Sequence, residues 1–159
     1  MRFMKRFLFC LGLLILFGMT SCHSEKEGKA LLSRDFPTYS WERFDYISDQ
    51  ITIKQPTTFD LSMVVTFDPS YAYDQLTVVF TVFDTDDTPL RSKNYRFLLK
   101  DVNGEWKSEL KDGGYTFTLP INSQLSLNEP GSYKFQLENR MPITPLAGIR
   151  KIALINQMK

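Results

Sequence analysis

From Phe36 onward the chain alternates apolar and polar residues in short runs broken by turn formers. In Phe59-Asp-Leu-Ser-Met-Val-Val-Thr-Phe67, the residues Phe59, Leu61, Met63, Val65 and Phe67 fall on one side of an extended strand. Ile51-Thr-Ile53, Leu76 to Phe83, Tyr95 to Leu99, Tyr115 to Leu119, Tyr133 to Leu137 and Ile149 to Ile155 are further runs of this kind. A period of two sends alternate side chains to opposite faces of a sheet, so each run predicts a strand with one face in a core and the other in water. Between the runs lie Asp68-Pro-Ser70, Asp86-Asp-Thr-Pro89, Asp112-Gly-Gly114 and Glu129-Pro-Gly131, all composed of residues that favour chain reversal. Val102-Asn-Gly-Glu105 predicts a tight hairpin turn. Beyond the first twenty-two residues no stretch carries the 3.6-residue apolar stripe of a helix. Seven or eight short strands at regular spacing predict an all-β fold: a single antiparallel β-sandwich, jelly-roll or Ig-like, over residues 36–159.

The N-terminus follows a different rule. Arg2, Lys5 and Arg6 precede an uncharged apolar stretch from Phe7 to Met19, which ends in Thr20-Ser21-Cys22. A basic start, a short apolar core and small residues before a cysteine are the layout of a secretory signal. Here they look like a bacterial lipobox, with cleavage between Ser21 and Cys22 and a lipid on the Cys22 sulfur. The apolar stretch is shorter than the ~20 residues that a membrane-spanning helix needs. The expected organisation is therefore a signal over 1–21, a lipidated polar tether over 22–35, and the sandwich.

Charge looks different once the signal is set aside. Three of the nineteen basic residues lie within 1–21 and none of the eighteen acidic ones do, leaving a net charge of −2 on the remaining 138 residues. Nucleic-acid binding, which calls for a clustered basic face, is not expected. Cysteine usage is equally restrictive: Cys10 leaves with the signal and Cys22 carries the lipid, so the domain holds neither a disulfide nor a nucleophilic thiol. The only histidine is His23, beside the anchor. A Ser-His-Asp triad and a multi-histidine zinc site are both excluded.

Three groups of residues remain as candidates for binding. Asp84, Asp86 and Asp87 form the densest carboxylate cluster, of the kind a hard cation would draw on. They lack the spacing and the closing glutamate of an EF-hand, and ordinary turn chemistry accounts for them, so no metal or other cofactor is expected. Tyr39, Trp41, Phe44 and Tyr46 open the domain, with Tyr39 and Trp41 expected on one buried face. Tyr71 and Tyr73 fall in a turn-rich stretch where exposure is expected. Flat exposed rings at Tyr71, Tyr73 or Trp41 would offer a stacking platform for a sugar or a contact for a protein, against plain core filling. Arg140, on a proline-interrupted connection and expected near Arg150 and Lys151, is a candidate contact for an acidic partner.

The layout resembles the gliding-motility lipoprotein GldH family of Bacteroidetes. The stretches that carry the likeness are Tyr39-Ser-Trp41, Asp68 to Leu76, Leu99 to Trp106, and Asn139-Arg140 through Pro145 to Ile152, in that order behind the lipobox. The resemblance implies a non-catalytic accessory protein of the gliding and linked secretion apparatus, held to the bilayer by acylated Cys22. Its expected partners are other envelope or gliding-machinery proteins, and its expected place is the cell envelope at the outer membrane, with the periplasmic and surface sides both open. Glu25 and Glu27 behind the cysteine resemble short acidic signals that send some lipoproteins of that phylum to the cell surface, although a solvated linker reads the same way. A surface glycan-binding lipoprotein is the alternative.

Overall fold

The computed structural model describes residues 28–157. The signal expected over 1–21, the Ser21-Cys22 cleavage point and residues 23–27 lie outside them. Eleven strands are present among the described residues: β1 (Lys29–Asp35), β2 (Ser40–Trp41), β3 (Ile47–Ile53), β4 (Thr57–Phe67), β5 (Gln75–Phe83), β6 (Pro89–Leu98), β7 (Leu110–Lys111), β8 (Gly114–Leu127), β9 (Gly131–Asn139), β10 (Leu146–Ala147) and β11 (Ile149–Asn156). They form a five-stranded sheet in the order β1-β11-β4-β8-β7, a four-stranded sheet β3-β9-β5-β6 and a small β10-β2 pair. Every pairing is antiparallel. The all-β sandwich expected from the alternation is the fold observed.

All seven alternating runs fall in strands longer than their apolar patterns, except that Leu99 lies one residue past the end of β6. One boundary differs. Residues 29–35, read above as tether, form β1 and pair with β11 from Lys29↔Asn156 to Asp35↔Lys151. The strand buries only Leu32 fully, because it lies at a sheet edge and its register shifts at Ala30/Leu32. A polar edge strand with a bulge carries almost no period-two signal.

The core lies between the two larger sheets. β4 sends Phe59, Leu61, Met63, Val65 and Phe67 inward, all buried, as its alternation requires. Phe135 of β9 meets Phe59 and Phe80 edge-on, with ring centroids 5.6 Å away in each case, joining the sheets through one aromatic contact set. Such edge-to-face pairs align the ring quadrupoles favourably. Only the β5–β6 and β7–β8 connections stay within a sheet; the others cross between sheets. At the β7–β8 turn, Asp112 and Gly113 both take positive φ, 51° and 74°, the signature of a two-residue type I′ hairpin.

The two long seams of the sandwich differ. On one side β1 packs against β3 and Arg34 pairs with Asp45. On the other, β6 and β8 leave a cleft of about 260 Å³ lined by Arg91, Lys93 and the Pro120–Ser123 segment.

Candidate docking surfaces

The residues singled out from the sequence do not converge on one site. Trp41 is completely buried. It plugs the end of the sandwich beside Phe36, its indole N–H donates to the Asp45 carbonyl at 2.7 Å, and its own carbonyl accepts from the buried Asn139 amide at 3.2 Å. Tyr71 is only 2% exposed, which corrects the expectation of an accessible ring. The turn after β4 folds back so that Tyr71 packs on Phe67 at 4.7 Å and its hydroxyl donates to the Gln75 carbonyl at 2.7 Å. Burial pushes that hydroxyl's pKa well above the ordinary tyrosine value. Tyr73 is half-buried and meets Tyr71 edge-on at 77°. The flat exposed platform that a sugar would stack on is therefore not formed by Tyr71, Tyr73 or Trp41.

Arg140 is exposed and pairs with Glu138 at 3.1 Å. Arg150, by contrast, is committed. Its guanidinium donates twice to one Asp68 oxygen, at 3.0 and 2.7 Å, and lies 5.0 Å over the Tyr39 ring. The other Asp68 oxygen accepts from the Ser70 backbone N–H and hydroxyl. The Ser70 hydrogen bonds, followed by those from Arg150, lower the Asp68 pKa from the ordinary 3.8 to about 2. Lys151 stands 3.8 Å from Asp35.

The carboxylate cluster is a turn. Asp84 accepts from the backbone N–H groups of Asp86 and Thr88 at 2.9 and 2.8 Å, and Asp87 pairs with Lys134 at 2.5 Å. No group of three or more potential metal ligands occurs among the described residues. The Asp101 loop is built the same way, with its carboxylate accepting from the Asn103 and Glu105 N–H groups, which lower its pKa.

Three surface features do stand out. The first is an aromatic tip. Tyr39 and Phe44 both take positive φ, 53° and 57°, a conformation uncommon for non-glycine residues and a poor one for bulky side chains. This turns Tyr39 outward instead of letting it share the buried face of Trp41, contrary to the i, i+2 expectation. Tyr39, Phe44, Tyr46 and Ile143 are all exposed, Phe44 at 72%. Their loops are tied together: the Arg43 N–H donates to the Thr144 hydroxyl, and the Gly148 N–H to the Tyr39 carbonyl at 2.7 Å.

The second feature is the outer face of the five-stranded sheet. Register shifts in β1, β11, β4 and β8 accompany a concave trough of about 570 Å³, lined by small residues such as Ala30, Val64, Thr66, Thr118 and Ala153 and reaching Gly28. The third is β6, an edge strand on which eight of ten residues are exposed. Neither the tip nor the edge carries a sequence motif. Phe44 was legible only as an aromatic, and its exposure follows from a backbone conformation that no periodicity encodes.

A family model described as GldH lipoprotein matches residues 32–155, from within β1 to the penultimate residue of β11. No curated protein matches the chain.

Proposed function

Since the chain belongs to the GldH lipoprotein family, we propose that it is a non-catalytic, lipid-anchored accessory component of a Bacteroidetes gliding and secretion machine, and that it works by docking another envelope protein. Acyl chains on Cys22 hold it at the outer membrane, and the sandwich presents its surface to the partner. The observation that carries the docking reading is the aromatic tip. β11 begins at Ile149, beside the tip, and ends at Asn156, opposite Lys29 where the chain from Cys22 enters. Eight residues of strand put these two points about 25 Å apart. The exposed rings of Tyr39 and Phe44 are thus displayed at the end of the sandwich opposite Lys29, where the described chain begins. Clustered exposed apolar residues mark interaction surfaces, and confinement by an anchor raises the effective concentration of both partners, so a modest interface suffices.

The test is affinity purification of a C-terminally tagged copy from crosslinked outer membranes, with mass spectrometry of what is retained. Gliding or secretion lipoproteins are expected among the captured proteins, and their yield should fall when Phe44 is replaced by Asp. Recovery of glycan importers, or of abundant envelope proteins alone, would overturn the reading.

A further inference from the structure

We infer that β6 is a strand-addition site for an extended acidic segment of a partner protein. This rests on the protein-docking reading and adds a second contact with defined chemistry. β6 ends the order β3-β9-β5-β6 and has no neighbour on its outer side among the described residues. The direction of its backbone groups follows from the ladder. Leu99 pairs across from Asp74, and its N–H donates to the Asp74 carbonyl at 2.8 Å. In an antiparallel pair, hydrogen-bonded residues alternate with residues whose backbone groups point the other way. With Gln75↔Leu98 to Val82↔Arg91 as the register, Arg91, Lys93, Tyr95 and Phe97 therefore bond to β5. Ser92, Asn94, Arg96 and Leu98 turn their N–H and C=O groups outward, while Leu90 lies at the register shift between Val82 and Phe83. These four alternate residues span Ser92 to Leu98, a template as long as a typical strand pairing.

The side chains add selectivity. Arg91 and Lys93 lie opposite Val82 and Phe80, which point into the core, so both cations project from the inner face into the open seam beside β8. The wall across from them is Pro120, Ile121, Asn122 and Ser123, without a charge. Lys93 lies 5.0 Å over the Tyr95 ring, which stacks on Phe97 at 8° between planes. None of Arg91, Lys93 and Arg96 is ion-paired among the described residues. The segment Pro89–Lys100 contains four basic residues and no acidic one, although the chain after the signal is net negative. Positive charge on an edge repels a second copy of itself, and the same charge favours a strand with carboxylates. Arg91 and Lys93 are two residues apart, about 6.8 Å along the strand. A partner strand with acidic residues at i and i+2 matches that spacing and directs both carboxylates into the seam. Exposed Leu90 and Leu98, at 54% and 59%, supply apolar contacts at the two ends.

The experiment uses the full acylated protein in detergent micelles and two labelled, end-blocked ten-residue probes, one alternating valine with glutamate and one alternating valine with lysine. The glutamate peptide is expected to bind, more weakly as salt rises, and the lysine peptide not to bind. Replacing Arg91 and Lys93 together by Ala should weaken binding by about tenfold or more. Asn94→Pro, which deletes an outward N–H and blocks approach, should abolish it. Because proline also perturbs the strand itself, amide exchange in the wild type gives an independent reading: Ser92, Asn94 and Arg96 should become protected when the glutamate peptide is added. Equal binding of both peptides, or binding without protection at those three amides, would overturn the proposal. So would dimerisation that disappears in Asn94→Pro, which would make the occupant a second copy of the chain. Crosslinked capture separates this proposal from the docking reading. If the wild type and the Arg91/Lys93 variant retain the same envelope partners, the edge is not used and the docking reading stands. If the wild type retains none, the docking reading itself fails.

Discussion

Arg150 ties three separate loops to β11 through one guanidinium: the Asp68–Ser70 turn, the Asp112 hairpin, whose carbonyl accepts at 3.5 Å, and the Tyr39 loop beneath its face. Asp68→Asn should lower stability at neutral pH by about 1–3 kcal/mol, because a charge-assisted pair is lost and a partly buried cation is left without its anion. The pH dependence has a definite sign. Asp68 is more acidic folded than unfolded, so its contribution is complete above 3.8 and is lost as pH falls through about 2. Urea titrations should show the gap between wild type and variant constant at neutral pH and closing over that acidic window. Gly148 is the second sensitive position. Its φ is 88°, and a Cβ there would stand 2.7 Å from the Tyr71 Cα. Gly148→Ala should cost about 2–4 kcal/mol, read as a fall in denaturation midpoint, since neither backbone nor neighbour can yield. At this scale the sequence is least explicit. Tyr71 sits among turn formers and still becomes core, because burial depends on where the turn folds back, and Tyr39 leaves the face of Trp41 through one torsion angle.

Elements with a full run of alternation were legible; those without it were not. β4 has eleven residues and five inward side chains, so its face and extent follow from its sequence. β2, β7 and β10 have two residues each, too few for any period, and exist because neighbouring strands hold them. The segment between β6 and β7 is a different case. It crosses from one sheet to the other, turned at Asp101–Glu105 as the Asn-Gly dipeptide predicts, and pinned by Trp106. That ring stacks on Tyr115 at 4.3 Å and packs against Phe67, Tyr71 and Phe117. Trp106→Ala should remove about 2–3 kcal/mol and release this crossing first. The amides of Asp101 and Lys107, bonded to Glu105 and Leu99, should exchange faster while those of β4 remain protected.

For the whole molecule, the all-β class and the family were both readable before any coordinates, because they depend on many weak signals in a fixed order. The proposed docking surfaces were not, since exposure of an edge or a loop is a property of the assembled sheets. The proposed attachment through Cys22 makes one further prediction. Cys22→Ser should leave a folded protein that partitions into the soluble fraction and no longer supports the activity of the envelope machine; membrane fractionation alongside a gliding or secretion assay checks both halves. Full activity from the soluble form would show that tethering is dispensable.

β1 acquires a mechanical meaning from this attachment. It is the first element of the described residues, and it adheres to the fold chiefly through the antiparallel ladder from Lys29↔Asn156 to Asp35↔Lys151. When a docked partner pulls against the membrane along the axis of β1, the hydrogen bonds of that ladder share the load and must shear together. When the same pull acts across the strand, they are peeled in succession from Lys29. Resistance to force is therefore directional, and it is set by how the sandwich is oriented above the bilayer rather than by its thermodynamic stability.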